Sequence, residues 1–173
     1  MTSNKNSIPA IANWNSSEIL VDKKSKFQGH CCNLTDQSQI PILLEQFVNS
    51  DKNIAKASHK HMYAWRTGKL SPSATDNNNV KKNIKKNKGK KANKNDNNTT
   101  HLPTTITDVE QGSSDCGESG AGQRLLTLLE RSHLVNVLVI VTRWYGGTPL
   151  GSARFRHITS IAVTSLKKGK FLS

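Results

Sequence analysis

Acid, aromatic side chains and cysteine are all scarce in this sequence, and each scarcity excludes something. Twelve aspartates and glutamates stand against 25 lysines and arginines, a formal net charge of +13. A surface so biased favours anionic partners, nucleic acid or an acidic protein face, over basic ones. The three cysteines, Cys31, Cys32 and Cys116, are odd in number and have no C-x-x-C spacing. That argues against a disulfide framework and against a zinc site, and it points to a reduced, cytosolic protein. Long apolar runs are missing too. The longest, Val137 to Val141, is far too short to span a bilayer, and residues 1–15 lack the apolar core of a secretory signal. No membrane partner is expected.

The positive charge is unevenly placed. Between Lys69 and Asp96 nine lysines face two aspartates, +7 of the total +13, which leaves +6 for the rest of the chain. Residues 68–105 hold few apolar side chains, and they account for the low hydrophobic content of 34% and the mean hydropathy of -0.58. Such a segment cannot bury enough surface to offset its ordering entropy and is expected to be disordered. It could tether RNA or the ribosome through Lys81 to Lys94 by counterion release. It has no aromatic for base stacking, so a loop insertion that merely stays soluble is the competing explanation. The expected organisation is a disordered tail over 1–18, one domain from 19–67 and 106–169, and the Lys/Asn-rich insertion at 68–105 between its halves.

Within the domain, residue periodicity suggests the elements. Ser25 to Leu34 reads as a strand. Ile40, Leu43, Leu44, Phe47 and Val48 repeat at helical spacing, giving a helix over 39–49 with Ser38 as N-cap and Pro41 tolerated in the first turn. Ser58 to Arg66 alternates His59, His61, Tyr63 and Trp65 against Lys60, Met62, Ala64 and Arg66, a strand with two faces. Ile106 to Val109 suggests a short edge strand, and Arg124 to Arg131 a helix. Val135 to Val141 has the nearly unbroken apolar character of a central strand covered on both faces or at an interface. Phe155, Ile158, Ala162 and Leu166 form one face of a last helix. The order suggests an α+β two-layer sandwich, a mixed sheet with helices on one face.

Two constellations carry possible chemistry. The turn Asp115, Gly117, Glu118, Gly120, Gly122, followed by Arg124, presents backbone amides at a helix N-terminus, where a phosphate could sit. Its two carboxylates would repel that phosphate, so an acid-capped structural turn is the simpler reading. The spacing is neither a P-loop nor a dinucleotide fingerprint. The second group is Arg143, Trp144, Tyr145, Gly146, Gly147, Arg154, Arg156 and His157. Arg154 and Arg156 fall in the first turn of the last helix, against the dipole. That placement calls for an anion, either the Asp115/Glu118 turn within the fold or an external acidic surface. His59, His61 and Tyr63 share a strand face in this reading, and His30 could lie near them, but nothing in the spacing makes them converge. Cys116 between acidic and glycine neighbours is a poor nucleophile. No catalytic set, cofactor site or metal site can be assembled from these residues.

The block Val141-Thr142-Arg143-Trp144-Tyr145-Gly146-Gly147-Thr148-Pro149-Leu150-Gly151-Ser152-Ala153-Arg154-Phe155-Arg156-His157-Ile158 closely resembles the signature of the IMPACT family, whose bacterial relatives are YigZ-type proteins. Asp115 to Leu126 is similar to that family's acidic glycine turn and helix, with Cys116 where a second aspartate is usual. Ser152-Ala153 replaces the usual Pro-Asp of eukaryotic members. Lys26 to His30, Ala57-Ser58-His59 and Ala64-Trp65-Arg66 match further family positions. The resemblance implies the fold of the second domain of a small-subunit ribosomal protein. It also implies a non-catalytic regulatory module in cytoplasmic control of translation under amino-acid starvation. The implied partner is a ribosome-associated co-activator of an initiation-factor kinase, with actin as another. Only about twenty residues precede the first matched strand, so a short member without the N-terminal RWD domain is expected. The alternatives are an RNA- or ribosome-associated binder and an enzyme acting on a phosphorylated small molecule.

Overall fold

The computed structural model describes residues 12–72 and 104–173. Its centre is the strand β6 (Val137–Trp144), whose residues from Val137 to Val141 are all fully buried. Preceding it along the chain are β1 (Asn15–Ser16), β2 (Leu20–Asp22), β3 (Ser25–Asn33), β4 (His59–Pro72) and β5 (Thr104–Ser114). The helices are α1 (Ile40–Ser50), the single turn α2 (Lys52–Ala55), α3 (Ala121–Arg131) and α4 (Ala153–Lys168). The strands make one six-stranded sheet in the order β1-β3-β6-β4-β5, with β2 also paired to β3. The pairings of β3 with β1, β2 and β6, and of β4 with β6, are antiparallel.

The alternation along β6 builds two cores. Val137, Val139 and Val141 join Phe27, Cys31, Met62 and Ala64 beneath α3 and α4, where Leu125, Leu129, Ile158, Ala162 and Leu166 meet them. Leu138 and Ile140 point the other way, to Cys32 and to Leu43, Phe47 and Ile54 of α1 and α2. Each fully buried leucine or isoleucine contributes roughly 1.5–3 kcal/mol, so a strand apolar at every position is explained by cover on both sides. The α+β class holds. The expectation of helices on one face is corrected: α3 and α4 take one face, and α1 with α2 takes the other. Leu43 and Phe47 cover Leu138 and Ile140, the β6 side chains that point away from α3 and α4.

Several boundaries move. The first turn of α1 has no side-chain cap; instead Asp36 accepts a hydrogen bond from the Ser38 amide at 2.9 Å and starts a 3-10 turn over Gln37–Gln39. Ser38 is therefore not the cap. Residues 12–18, expected in a disordered tail, include β1, and Trp14 packs on Phe47 with ring centroids 5.1 Å apart. Strands β4 and β5 run past the expected insertion edges at 68 and 105. Residues 69–72 and 104–107 group apart from the rest of the described chain. Most of the lysine tract, Lys81 to Lys94 included, lies outside the described residues.

Candidate functional site

Glu118 organises the site. It lies in the turn ahead of α3 and is 5% exposed. One oxygen takes a hydrogen bond from Arg143 Nη1 at 2.7 Å, and Arg154 Nε lies 2.9 Å from the other. His59 Nε2 is 3.3 Å away. Three separate elements, β4, β6 and α4, thus converge on one carboxylate. The register explains why: His59 and Phe27 are both cross-strand partners of Arg143, and α4 crosses that face of the sheet. Arg143 is itself buried, at 4% exposure, and its guanidinium lies 5.2 Å from the Phe27 ring centroid. A charge in such a place is tolerable only when paired.

Asp115 does a different job. Its two oxygens accept the amides of Gly120 and Gly122 at 3.1 and 2.8 Å, occupying the donors that a phosphate would use. The acidic turn is thus closed by its own side chains. His59 Nδ1 lies 2.9 Å from the Cys116 carbonyl and ties the same turn to β4.

The arginine-rich group divides in two. Arg143 and Arg154 belong to Glu118, and His157 Nε2 pairs with Asp22 at 2.7 Å. Arg124 and Arg156 are exposed and flank Phe155 along a shallow depression of about 630 Å³ shared with Ser152, Thr159 and Ser160. The Phe155 ring lies between guanidiniums, with Arg124 at 4.1 Å and Arg154 at 4.6 Å from its centroid. Trp144 is half-buried, its indole donating to the Asn53 carbonyl at 2.8 Å, while Tyr145 is 49% exposed. Gly146 lets this turn close onto the β2–β3 turn: a Cβ there would meet the Lys24 carbonyl carbon at 2.2 Å and the Ser25 nitrogen at 2.3 Å. Gly147 is left-handed, at φ 91°.

The histidine face is corrected. A bulge between His59 and Met62 shifts the register of β4. His59 therefore turns to Arg143 with Met62 and Ala64, while Tyr63 packs with the α1–α2 core and His61 lies beside it. His30 shares the face of Tyr63, both being cross-strand partners of Ile140, and it lies in edge contact with Phe47 at 4.8 Å and bonded to Ser16 Oγ at 2.8 Å. Burial pushes its pKa down to about 4, against a smaller opposing effect of Asp51. No group of three or more potential metal ligands occurs among the described residues. Burial likewise pushes the Cys31 thiol up to about 11 and the Cys32 thiol up to about 12. Of the two anions that the sequence left open for the arginine group, the internal acidic turn is the one used, with Glu118 paired to Arg143 and Arg154 while Asp115 caps its own turn. The β2 strand, and the contact of Lys24 and Ser25 after it with Gly146, were missed by sequence reasoning.

An α+β sheet that closes an arginine-rich turn on a buried acid is the class of domain defined by this geometry. The Impact N-terminal domain model matches residues 23–166, and the chain belongs to the IMPACT family. It is 55% identical to an IMPACT family member of Saccharomyces cerevisiae, over 92% of this chain and 93% of that protein. It is 32% identical to the Protein IMPACT homolog of Schizosaccharomyces pombe, over 86% of this chain but 40% of that protein. The mouse Protein IMPACT is 30% identical over 88% of this chain, which spans 36% of it. Among solved structures, a hypothetical protein superposes with a TM-score of 0.53 at 18% identity, over 92% of this chain and 58% of that one, a likeness of fold. The two-domain translational regulator Yih1 matches with a TM-score of 0.49 at 26% identity, over 97% of this chain and 52% of that one.

Proposed function

We propose that the protein is a non-catalytic regulatory module acting through protein–protein contact in cytoplasmic control of translation during amino-acid starvation. Family membership supports the regulatory direction, and the partner suggested by the resemblance is a ribosome-associated co-activator of an initiation-factor kinase, with actin as a further candidate. The observation that carries the reading is the division of the arginine group. Glu118 engages Arg143 and Arg154, whereas Tyr145 and Arg156 face solvent, the kind of aromatic and guanidinium surface enriched at protein interfaces. Asp115 and Glu118 are committed to the fold, which leaves neither as a free acid or base for a substrate. The test is nuclease-treated affinity capture from starved and fed cells. A folded Tyr145→Ala/Arg156→Glu variant should lose the co-activator; undiminished capture would remove the reading.

A second reading, an RNA- or ribosome-associated binder, is favoured by the +7 charge between Lys69 and Asp96. It requires affinity that falls steeply with salt. Deleting Lys81 to Lys94 should then weaken binding and flatten the salt slope; no change in either would dismiss it.

A further inference from the structure

A second groove opens beside the arginine group, between the β2–β3 turn, α2 and the end of β6. It measures about 400 Å³ and is lined by Ile19, Lys24, Lys26, Asn53, Trp144 and Tyr145. Across the sheet Val21 pairs with Lys26, and Lys26 pairs with Trp144, so an aliphatic, a cation and an indole stand side by side on one face. Five large hydrophobic residues are exposed among the described residues, and Ile19 (51%), Val21 (59%) and Tyr145 (49%) are three of them. Their concentration at one place is what an interaction site requires, since scattered single exposures need no explanation.

The charge here has no internal answer. Among the described residues no carboxylate pairs with Lys24 or Lys26, and the nearest acids along the chain are engaged: Asp22 by His157 at 2.7 Å, Glu18 by Lys168 at 3.3 Å. Lys23 and Lys24 also hold left-handed backbone, at φ 44° and 65°, positions where Asn-Gly would be the relaxed choice for a two-residue hairpin turn. Exposed Lys52 in the neighbouring α2 and Lys56 just after it outnumber the one acid there, Asp51, whose carboxylate caps the helix at the Asn53 amide. Finally, β2 has only β3 as a strand partner among the described residues, so its outer edge can pair with an extended chain.

We propose that this groove docks an extended acidic peptide segment that carries an apolar side chain. The inference rests on the protein-contact reading above and supplies the chemistry of the partner. The carboxylates of the segment meet Lys24 and Lys26, its apolar side chain enters between Ile19 and Tyr145, and Trp144 forms the wall. Nucleic acid fits less well, because Ile19 and Val21 offer it nothing and Tyr145 is the one exposed stacking ring. An anionic bilayer fits less well because the Trp144 indole, fixed to Asn53, lies back within a concavity.

The test is selection of displayed random twelve-residue peptides on the full chain, followed by fluorescence anisotropy with the recovered peptides. A uridylate dodecamer and phosphatidylserine-containing vesicles serve as parallel probes. Expected is recovery of acidic peptides with an apolar residue, whose affinity falls about tenfold or more in Lys24→Glu/Lys26→Glu and in Tyr145→Ala. Both variants change exposed side chains, and thermal melts verify their folding. Acidic peptides that ignore Lys24→Glu/Lys26→Glu but are lost in Arg156→Glu would overturn the groove while leaving the protein-contact reading intact. Recovery of no peptide would overturn the groove, and the capture experiment alone then decides the protein-contact reading. Groove-dependent binding of the dodecamer or the vesicles, without peptide binding, would overturn the proposal in favour of that ligand.

Discussion

Replacing Glu118 by glutamine tests the organisation of the site at its centre. The substitution keeps shape and one acceptor but removes the charge that two guanidiniums share, Arg143 at 2.7 Å and Arg154 at 2.9 Å. At an effective dielectric of about 20, opposite charges some 4 Å apart attract by about 4 kcal/mol. Breaking a buried pair by losing one partner costs about 3–5 kcal/mol, because the other charge stays buried and uncompensated. Arg143, 4% exposed, cannot reach water, whereas the Arg154 side chain is 33% exposed and can. Glu118→Gln should therefore lower unfolding stability by about 3–5 kcal/mol in urea titrations. Arg154→Ala, which leaves the Glu118–Arg143 pair intact, should cost no more than about 1 kcal/mol. A total domain stability of about 5–15 kcal/mol makes the first change easily measured. A loss below about 1 kcal/mol for Glu118→Gln, or equal losses for the two variants, would refute the assignment of Glu118 as the buried counter-ion.

Further expectations follow from other parts of the fold. His30 is held neutral with a pKa of about 4, below its unfolded value of about 6.5. The unfolded chain thus binds more protons between those values, and the stability associated with this residue is present above pH 6.5 and lost as pH falls toward 4. From pH 7 to 4.5 the loss is roughly 2–3 kcal/mol, and paired urea melts of wild type and His30→Gln should show the wild type losing that much more; parallel pH slopes would contradict it. Gly146→Ala should cost about 3 kcal/mol or more, since its Cβ would meet backbone at 2.2 Å. Gly147→Ala, with nothing within 4 Å, should cost only the left-handed strain of about 1–2 kcal/mol; reversed thermal-shift order would refute this. Native thiol titration at pH 8 should label Cys116 alone, because Cys31 and Cys32 are buried with pKa values of about 11 and 12; three rapid equivalents would disprove that burial.

Much of this fold was legible because its signals are local. The all-apolar run of β6 announced cover on both faces, and the spacing of Ile40, Leu43, Leu44 and Phe47 announced α1. The family followed from the ordered block around Arg143 and Arg154. What stayed hidden depends on partners distant in sequence. The bulge that turns His59 away from His61 has no composition cue, since period-2 alternation cannot reveal an inserted residue. The helices on opposite faces were hidden because periodicity defines an apolar stripe but not the side of the sheet it meets. Residues Leu20 to Asp22 were too few to read as a strand, yet Ile19 ahead of β2 and Lys24 in the turn after it line the groove at Trp144 and Tyr145. For the arginines, the sequence left an internal acid and an external one both open. The choice rested on Glu118 lying beneath α4, a matter of chain path.

The most direct measurement of the central claim compares nuclease-treated co-activator capture by folded Arg154→Ala with capture by folded Tyr145→Ala/Arg156→Glu. If Arg154 serves the fold and the exposed residues serve a partner, the first variant keeps capture near the wild-type level and the second loses it. Loss with Arg154→Ala and retention with the double variant would contradict that division and the function built on it.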